Sequence, residues 1–237
     1  MDIILSSAYL APVQYYTKFL VAQTICIEQW DHYIKQTYRN RCTIISANGP
    51  ISLSIPVVHS SKDKTLMKDI RIADHGNWQH MHWNAIVSAY NSTPFFEYYQ
   101  DDFYPFYRKK YSFLLDFNNE LQERVLNLLN IDLPVVKPSS EYRTEFADNE
   151  LDLRDDIHPK KDWQSFDEEF SPYGYYQVFD RKFGFIPPNM SIIDLLFNMG
   201  NESQIVLAKI CWKCLYLSYF IYLSAYLYSK HCIFALK

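Results

Sequence analysis

Glycine is the residue this chain nearly does without. Only five, Gly49, Gly76, Gly174, Gly184 and Gly200, occur in 237 residues, and no two lie close together. A P-loop and a Rossmann G-x-G-x-x-G fingerprint both need glycines a few residues apart, so that backbone N–H groups can close on a phosphate. Both devices are excluded, and any nucleotide here has to be held by side chains. Aromatic residues are abundant instead, with 20 Tyr, 16 Phe and 5 Trp. With 49% hydrophobic and 21% charged residues, the chain has the profile of one folded domain, or two small ones, with enough apolar matter for a core.

Charge is unevenly placed. Residues 137–169 hold eleven Asp and Glu against five Lys and Arg, whereas residues 1–136 are nearly balanced and 208–237 contain no acid. Nucleic-acid binding needs clustered Lys and Arg for phosphate contacts, and the first 207 residues show no basic excess, so no nucleic-acid partner is expected. The local exception is Lys35, Arg39 and Arg41, a compact cation group suited to one anionic small molecule. The N-terminus has no basic region and no cleavage pattern, which predicts a cytoplasmic chain. Five cysteines at irregular spacing read as free thiols and not as a disulfide framework. Cys26 and Cys42, inside apolar runs, are expected to be buried and inert.

The spacing of apolar residues predicts an α/β protein with a small mixed sheet. Ile3 to Ser6, Pro12 to Ala22 and Thr24 to Glu28 read as a strand–helix–strand start. Cys42 to Ile45 and Ile51 to Val57, joined by Asn48-Gly49, read as a hairpin, and Lys68 to Ile72 as a further strand. Helices are predicted over about 78–90 and 111–130. Residues 137–169 read as an acidic, weakly structured surface segment with at most one strand. Ser191-x-x-Asp194 has the form of a capping box opening a helix that Gly200 would end.

Residues 208–237 differ in texture: hydrophobic, rich in Tyr and Cys, with an uncharged run from Cys214 to Ser229. That run is short for a bilayer span, which takes ~20 apolar residues, and its tyrosines suit an interface better than hydrocarbon. Weak membrane association through this tail and an appended extension outside the fold are the two readings. Cys211, Cys214, His231 and Cys232 fit no standard zinc spacing, and no metal site is assigned.

Several blocks in order carry a resemblance. They are Ile3 to Tyr16 with Tyr9-Leu10-Ala11-Pro12-Val13; Ile27-Glu28-Gln29-Trp30-Asp31-His32-Tyr33; Tyr38-Arg39-Asn40-Arg41; Leu53-Ser54-Ile55-Pro56-Val57; Trp78-x-x-x-His82-x-x-x-Ile86 with Tyr90; and Pro94 to Tyr99. Together they resemble the WbqC-like protein family over about residues 2–207, with Gly184 to Pro187 and Ser191 to Gly200 similar to the ending of a Bacteroidetes branch. The tail departs from the pattern. The resemblance implies work in surface-polysaccharide synthesis, O-antigen or capsule, as a transferase acting on an activated or amino sugar. Many members open with Gln-Pro where this chain has Ser6-Ser7, and have Gly where it has Gln14. The sequence names no cofactor and leaves the oligomeric state open.

The candidate site residues follow. If Tyr38 to Ile45 is a strand, Arg39 and Arg41 share a face and can fork onto a sugar-nucleotide diphosphate or a carboxylate. Asn40 would orient that group and Lys35 would add a point charge; the alternative is an exposed face with surface salt bridges. His82, on the buried face of its predicted helix, must either find a hydrogen-bond partner or work as a general base. Trp78 would stack on a sugar or base, or anchor the core. Tyr9 and Tyr15 flank the first strand–helix connection, a usual place for ligand contact, and are equally suited to packing. Two classes of function remain open: a transferase, and a non-catalytic binding or scaffold protein of a glycan-assembly complex whose aromatics form a partner surface.

Overall fold

A computed structural model describes residues 1–58, 64–131, 134–163, 167–184 and 189–211. The strand–helix–strand start forms as expected: β1 (Asp2–Ser6), α1 (Val13–Val21) and β2 (Thr24–Glu28), with β1 and β2 parallel. β1 and α1 are almost wholly buried, which is why their apolar positions run nearly continuously and do not alternate. Two late strands complete the sheet, β7 (Val135–Pro138) beside β2 and β8 (Glu150–Asp152) beside β1. The order β7-β2-β1-β8 is parallel throughout. The fold is therefore α/β as predicted, with the antiparallel pairs set apart from the central sheet.

Those pairs are β3 (Arg41–Ser46) with β4 (Gly49–Ser54), and the two-residue strands β5 (Val57–Val58) and β6 (Arg71–Ile72). In the hairpin Ser46 pairs with Gly49, so the tight loop is Ala47-Asn48, one residue earlier than Asn-Gly suggests; Gly49 opens β4 at a φ of 111°. The strand expected over 68–72 forms only at its end, as β6; ahead of it stands a 3-10 turn, Met67–Asp69, closed by the Ile70 N–H on the Met67 carbonyl at 3.3 Å. Met67 and Ile70 are both fully buried and anchor that turn, while Ile72 pairs with Val57 in the short strand.

The predicted helices appear as α2 (Trp78–Tyr90) and α4 (Leu114–Leu129), with α3 (Phe96–Phe103) between them. Beyond α5 (Asp180–Phe183) come α6 (Ile192–Met199) and α7 (Ser203–Ile210). Gly200 does end α6, but the capping box does not form. The Ser191 hydroxyl donates to the Leu10 carbonyl at 2.8 Å, and the fully buried Asp194 carboxylate accepts from Tyr175 Oη at 2.6 Å and Gln177 Nε2 at 2.5 Å. Tertiary partners have taken both side chains from the helix end.

Many of the described aromatics build the core. Phe117 on α4 meets Tyr9, Trp78, Phe106, Tyr107 and Tyr111 with ring centres 5.0–6.5 Å apart. Phe197 on α6 meets Tyr90, Phe96 and Phe103 at 5.2–5.5 Å. Such contacts add about 0.5–1.5 kcal/mol per pair beyond area burial.

The acidic stretch is not idle surface. It carries β8 and the end of β7, and several of its carboxylates make internal pairs, Asp152 with Arg154 and Asp167 with Lys18 among them. At the other boundary the fold runs past Leu207: Ile210 and Cys211 are buried, and Cys211 bridges to Phe170. Apart from Cys211, the residues of the zinc reading and the uncharged run of the membrane reading fall on 212–237, outside the described residues.

Candidate functional site

All four strands of the parallel sheet point their carboxyl ends to one edge, and buried charge is gathered there. Glu28 ends β2 and is 2% exposed. Its Oε1 accepts from the Gln29 and Trp30 N–H groups at 2.9 and 2.7 Å and from Ser139 Oγ, just past β7, at 2.7 Å. Its Oε2 accepts from Arg154 at 2.8 Å. Arg154, two residues beyond β8, also grips Asp152 through two nitrogens at 2.8 and 2.7 Å and donates to the Arg143 carbonyl at 2.9 Å. Ser6, ending β1, donates to the Arg154 carbonyl at 2.8 Å. One network thus ties together the ends of all four strands. Burial opposes the Arg154 charge, and Asp152 with Glu28 overcomes it, holding this guanidinium above its usual range.

Above this floor lies a second pair with open valences. Arg39 and Asp31, 3% and 7% exposed, meet through Nη2 and Oδ2, with Asp155 Oδ1 3.8 Å from the same nitrogen. Asp31 Oδ1 and Arg39 Nε are buried without a hydrogen-bond partner among the described residues. Unpaired buried polar atoms are costly, about 1–3 kcal/mol each, and here both belong to one ion pair and have no accessible surface of their own. Asn118 belongs to the same cluster: its Nδ2 donates to the Arg39 carbonyl at 2.8 Å and to Ser7 Oγ at 3.0 Å, while its Oδ1 is unpaired. Burial raises the Asp31 carboxyl above its ordinary pKa, with Arg39 pulling the other way.

The pair faces a cleft of about 380 Å³ lined by Trp30, Asp31, His32, Ile34, Arg39, Tyr142, Arg154 and Asp155. A narrower crevice shares Arg39 and Arg154 and reaches Ser6, Ser7 and Tyr15. The loop between β2 and β3 is held in place by backbone bonds, Met67 N–H to Asp31 O at 2.8 Å and Tyr9 N–H to Tyr38 O at 2.9 Å. A ligand crevice at the carboxyl ends of parallel strands, where the connections diverge, is the general rule for open α/β sheets. β1 is that point here, since the chain moves from it toward β2 on one side and later toward β8 on the other. Among the described residues no three His, Cys, Asp or Glu side chains assemble as a metal site.

The residues singled out in the sequence divide. Arg39 is in this cleft, but β3 begins only at Arg41, so the two arginines do not share a strand face. Arg41 Nε bonds Ser54 Oγ at 3.1 Å, and Asn40 Nδ2 bonds the Ile55 carbonyl at 2.8 Å, both holding the hairpin base. Lys35 is exposed in the preceding turn. Tyr15 reaches the crevice, its hydroxyl 3.1 Å from the Ser6 carbonyl and 3.3 Å from Gln122 Oε1.

His82, Tyr9 and Trp78 lie together elsewhere, in the aromatic core. His82 Nδ1 is 3.0 Å from Tyr9 Oη, which is 2.8 Å from Tyr107 Oη, and the Trp78 ring packs edge-on at 5.2 Å. Burial lowers the His82 pKa to about 4, partly offset by its hydrogen bond to the Ser54 backbone. Of the two alternatives posed by the sequence, the ring does have a hydrogen-bond partner. Cys42 is buried and its thiol is pushed upward by burial, far from reactive thiolate character.

The sequence alone did not mark Asp31, Glu28, Trp30 or Arg154. The signal for the first three is the switch from Ile25-Cys26-Ile27 to Glu28-Gln29-Trp30-Asp31 where a buried strand ends; Arg154 is hidden inside an acidic run.

The model of the WbqC-like protein family matches residues 7–205 of this chain. The chain belongs to that family. All the cleft residues of this WbqC-like protein lie inside the matched span. A second comparison gives 23% identity over 192 residues to the uncharacterized protein Rv1507c of Mycobacterium tuberculosis, covering 72% of this chain and 81% of that protein. No solved structure matches. Among the described residues no helix is long and apolar enough to cross a membrane.

Proposed function

We propose that this WbqC-like chain works in surface-polysaccharide or modified-sugar biosynthesis, as a transferase that moves a group onto an activated or amino sugar held in the carboxyl-edge cleft. The observation that carries this is the Asp31–Arg39 pair, buried, half-satisfied and facing that cleft. Asp31 is the acid–base group. Its carboxyl lies on the cleft and is raised by burial, which brings a carboxylate toward the range useful for taking a proton from a hydroxyl or amine. His82, the base suggested by its helix position, is enclosed in the aromatic core and takes no part in this reading. Glu28 and Arg154 fix the floor on which the pair sits.

The test is calorimetric titration with a panel of UDP-, GDP- and dTDP-linked sugars. Binding of at least one, abolished by Arg39→Ala in a folded variant, supports the proposal; no binding by any of them rejects it. The rival scaffold reading draws on a surface rich in exposed rings, Tyr98 at 77% exposure and Tyr142, Tyr173 and Tyr176 about half exposed. It gains if no sugar nucleotide binds while the protein co-purifies with a partner.

A further inference from the structure

We infer that a recess between α2 and the 3-10 turn Tyr104–Tyr107 binds a sugar residue bearing a carboxylate, laid against aromatic rings and held by Arg108. The recess encloses about 530 Å³, within the usual range for a ligand site, and shares no residue with the carboxyl-edge cleft. The inference therefore goes beyond the proposed function and does not rest on it.

Three rings make one wall. The Trp83 ring centre is 5.2 Å from that of Tyr104 and 5.6 Å from that of Tyr107. Tyr107 is buried and tied through its hydroxyl to Tyr9 at 2.8 Å, which fixes its ring. Trp83 is only half-buried and Tyr104 is 41% exposed, so ring surface is open to solvent. Gln79 locks the two elements together, its Nε2 donating to the Phe106 and Lys109 carbonyls at 3.2 and 2.6 Å. Such a wall suits the C–H face of a pyranose, whose edges carry hydroxyls.

Hydrogen-bonding groups line the rest, and they are reachable: His80, Asn84 and Arg108 are all exposed. His80 Nε2 and Asn84 Nδ2 bond each other at 2.9 Å, one helical turn apart, which leaves His80 Nδ1 and Asn84 Oδ1 for hydroxyls. Charge narrows the ligand further. Of three consecutive cations, Lys109 pairs with Glu120 at 2.8 Å and Lys110 with Asp74 at 2.9 Å. Arg108 makes no ion pair among the described residues, and its guanidinium carbon lies 5.8 Å from the Tyr104 ring centre. No Asp or Glu is among the described residues that line the recess. One free guanidinium beside a ring wall matches a single negative charge, and its fork fits a carboxylate bidentately. A phosphate dianion would call for a second cation, and the two adjacent ones are taken.

The experiment titrates the full chain with glucuronate, galacturonate, their parent hexoses, glucose 6-phosphate and acetate. It follows the Trp83 indole N–H by NMR, assigned by its loss in Trp83→Phe. The expected result is that at least one uronate moves that signal and binds at least ~10-fold more tightly than its parent hexose and than acetate. Arg108→Gln, at an exposed position, should bring the uronate down to the affinity of the hexose. If Trp83→Phe fails to fold, saturation transfer to the uronate, compared between wild type and Arg108→Gln, decides the matter alone. Absence of binding by both uronates up to ~50 mM overturns the inference. So does uronate affinity unchanged in Arg108→Gln, a uronate no tighter than its parent hexose or acetate, or tighter binding of glucose 6-phosphate.

Discussion

Asp31 and Arg39 join through one oxygen and one nitrogen, and this leaves the other carboxylate oxygen and the guanidinium Nε unpaired and covered, in two residues that line a cleft at the carboxyl edge of the sheet. An internal ion pair built only for stability would satisfy both groups, as Arg154 does with Asp152 and Glu28. The contrast between the two arginines sets a fully bonded clamp beside the pair proposed to meet the ligand.

Removing one side of the clamp should be costly. Glu28→Gln removes the carboxylate charge facing Arg154, and Glu28→Ala leaves three N–H or O–H donors and one guanidinium nitrogen without their acceptor. Loss of one partner of a buried pair typically costs about 3–5 kcal/mol. Urea unfolding of Glu28→Ala should show a loss of that order, and a loss under ~1 kcal/mol would mean the network does not hold the sheet edge.

His82 gives a prediction in pH. Its folded pKa of about 4 lies below the ordinary 6.5, so the unfolded chain binds the proton first. The stability contributed by the neutral ring is present above about pH 6.5 and is lost as pH falls toward 4. The full difference is on the order of 3 kcal/mol. Asp31 and Asp194 have raised carboxyls and act in the opposite sense, so the quantity to measure is the stability gap between the wild type and His82→Asn. That gap should shrink between pH 7 and pH 4; a gap independent of pH would show that the ring is not held neutral.

Gly200 should not tolerate a side chain. Its φ is 55°, and a Cβ there would come within 2.5–2.7 Å of three atoms of the Phe95 ring. Gly200→Ala combines left-handed strain with a clash against a packed aromatic, and a cost of roughly 1–3 kcal/mol is expected. Thermal unfolding checks it, with an unchanged midpoint counting against the packing described for the end of α6.

Lys18, on a helix buried on nearly every side, pairs with Asp167 at 2.6 Å, and Gln14 adds a bond to the same carboxylate at 2.8 Å. Lys18→Met should destabilise by about 3–5 kcal/mol, because it strands a buried carboxylate. The double variant Lys18→Met with Asp167→Leu should recover much of that loss. Equal losses in the single and double variants would mean that the charge pair is not what matters.

How far the sequence could be read depends on how local each signal is. Elements defined by their own apolar spacing, such as α2, α4 and the first strand–helix–strand unit, were legible to within a few residues. β7 and β8 were not, because Val135–Pro138 is exposed throughout and Glu150–Asp152 is half-buried at the sheet edge; each exists through its neighbour and not through a pattern of its own. Arg39 was found from its cluster, yet its partner Asp31 was not, since the pairing depends on a loop fold fixed by distant bonds to Met67 and Tyr38. His82 was placed correctly on a buried face, but only the position of Tyr9, 73 residues away in sequence, shows that the ring is already partnered.

The central claim is that ligand recognition lies with Asp31 and Arg39 and not with His82. The direct measurement is calorimetric affinity for the tightest-binding sugar nucleotide, compared across wild type, Asp31→Asn, Arg39→Lys and His82→Asn at pH 7.5, each first confirmed as folded. The account predicts a loss of at least ~10-fold for the two cleft variants and a change within about twofold for His82→Asn. Full affinity in the cleft variants with binding lost only in His82→Asn would contradict it.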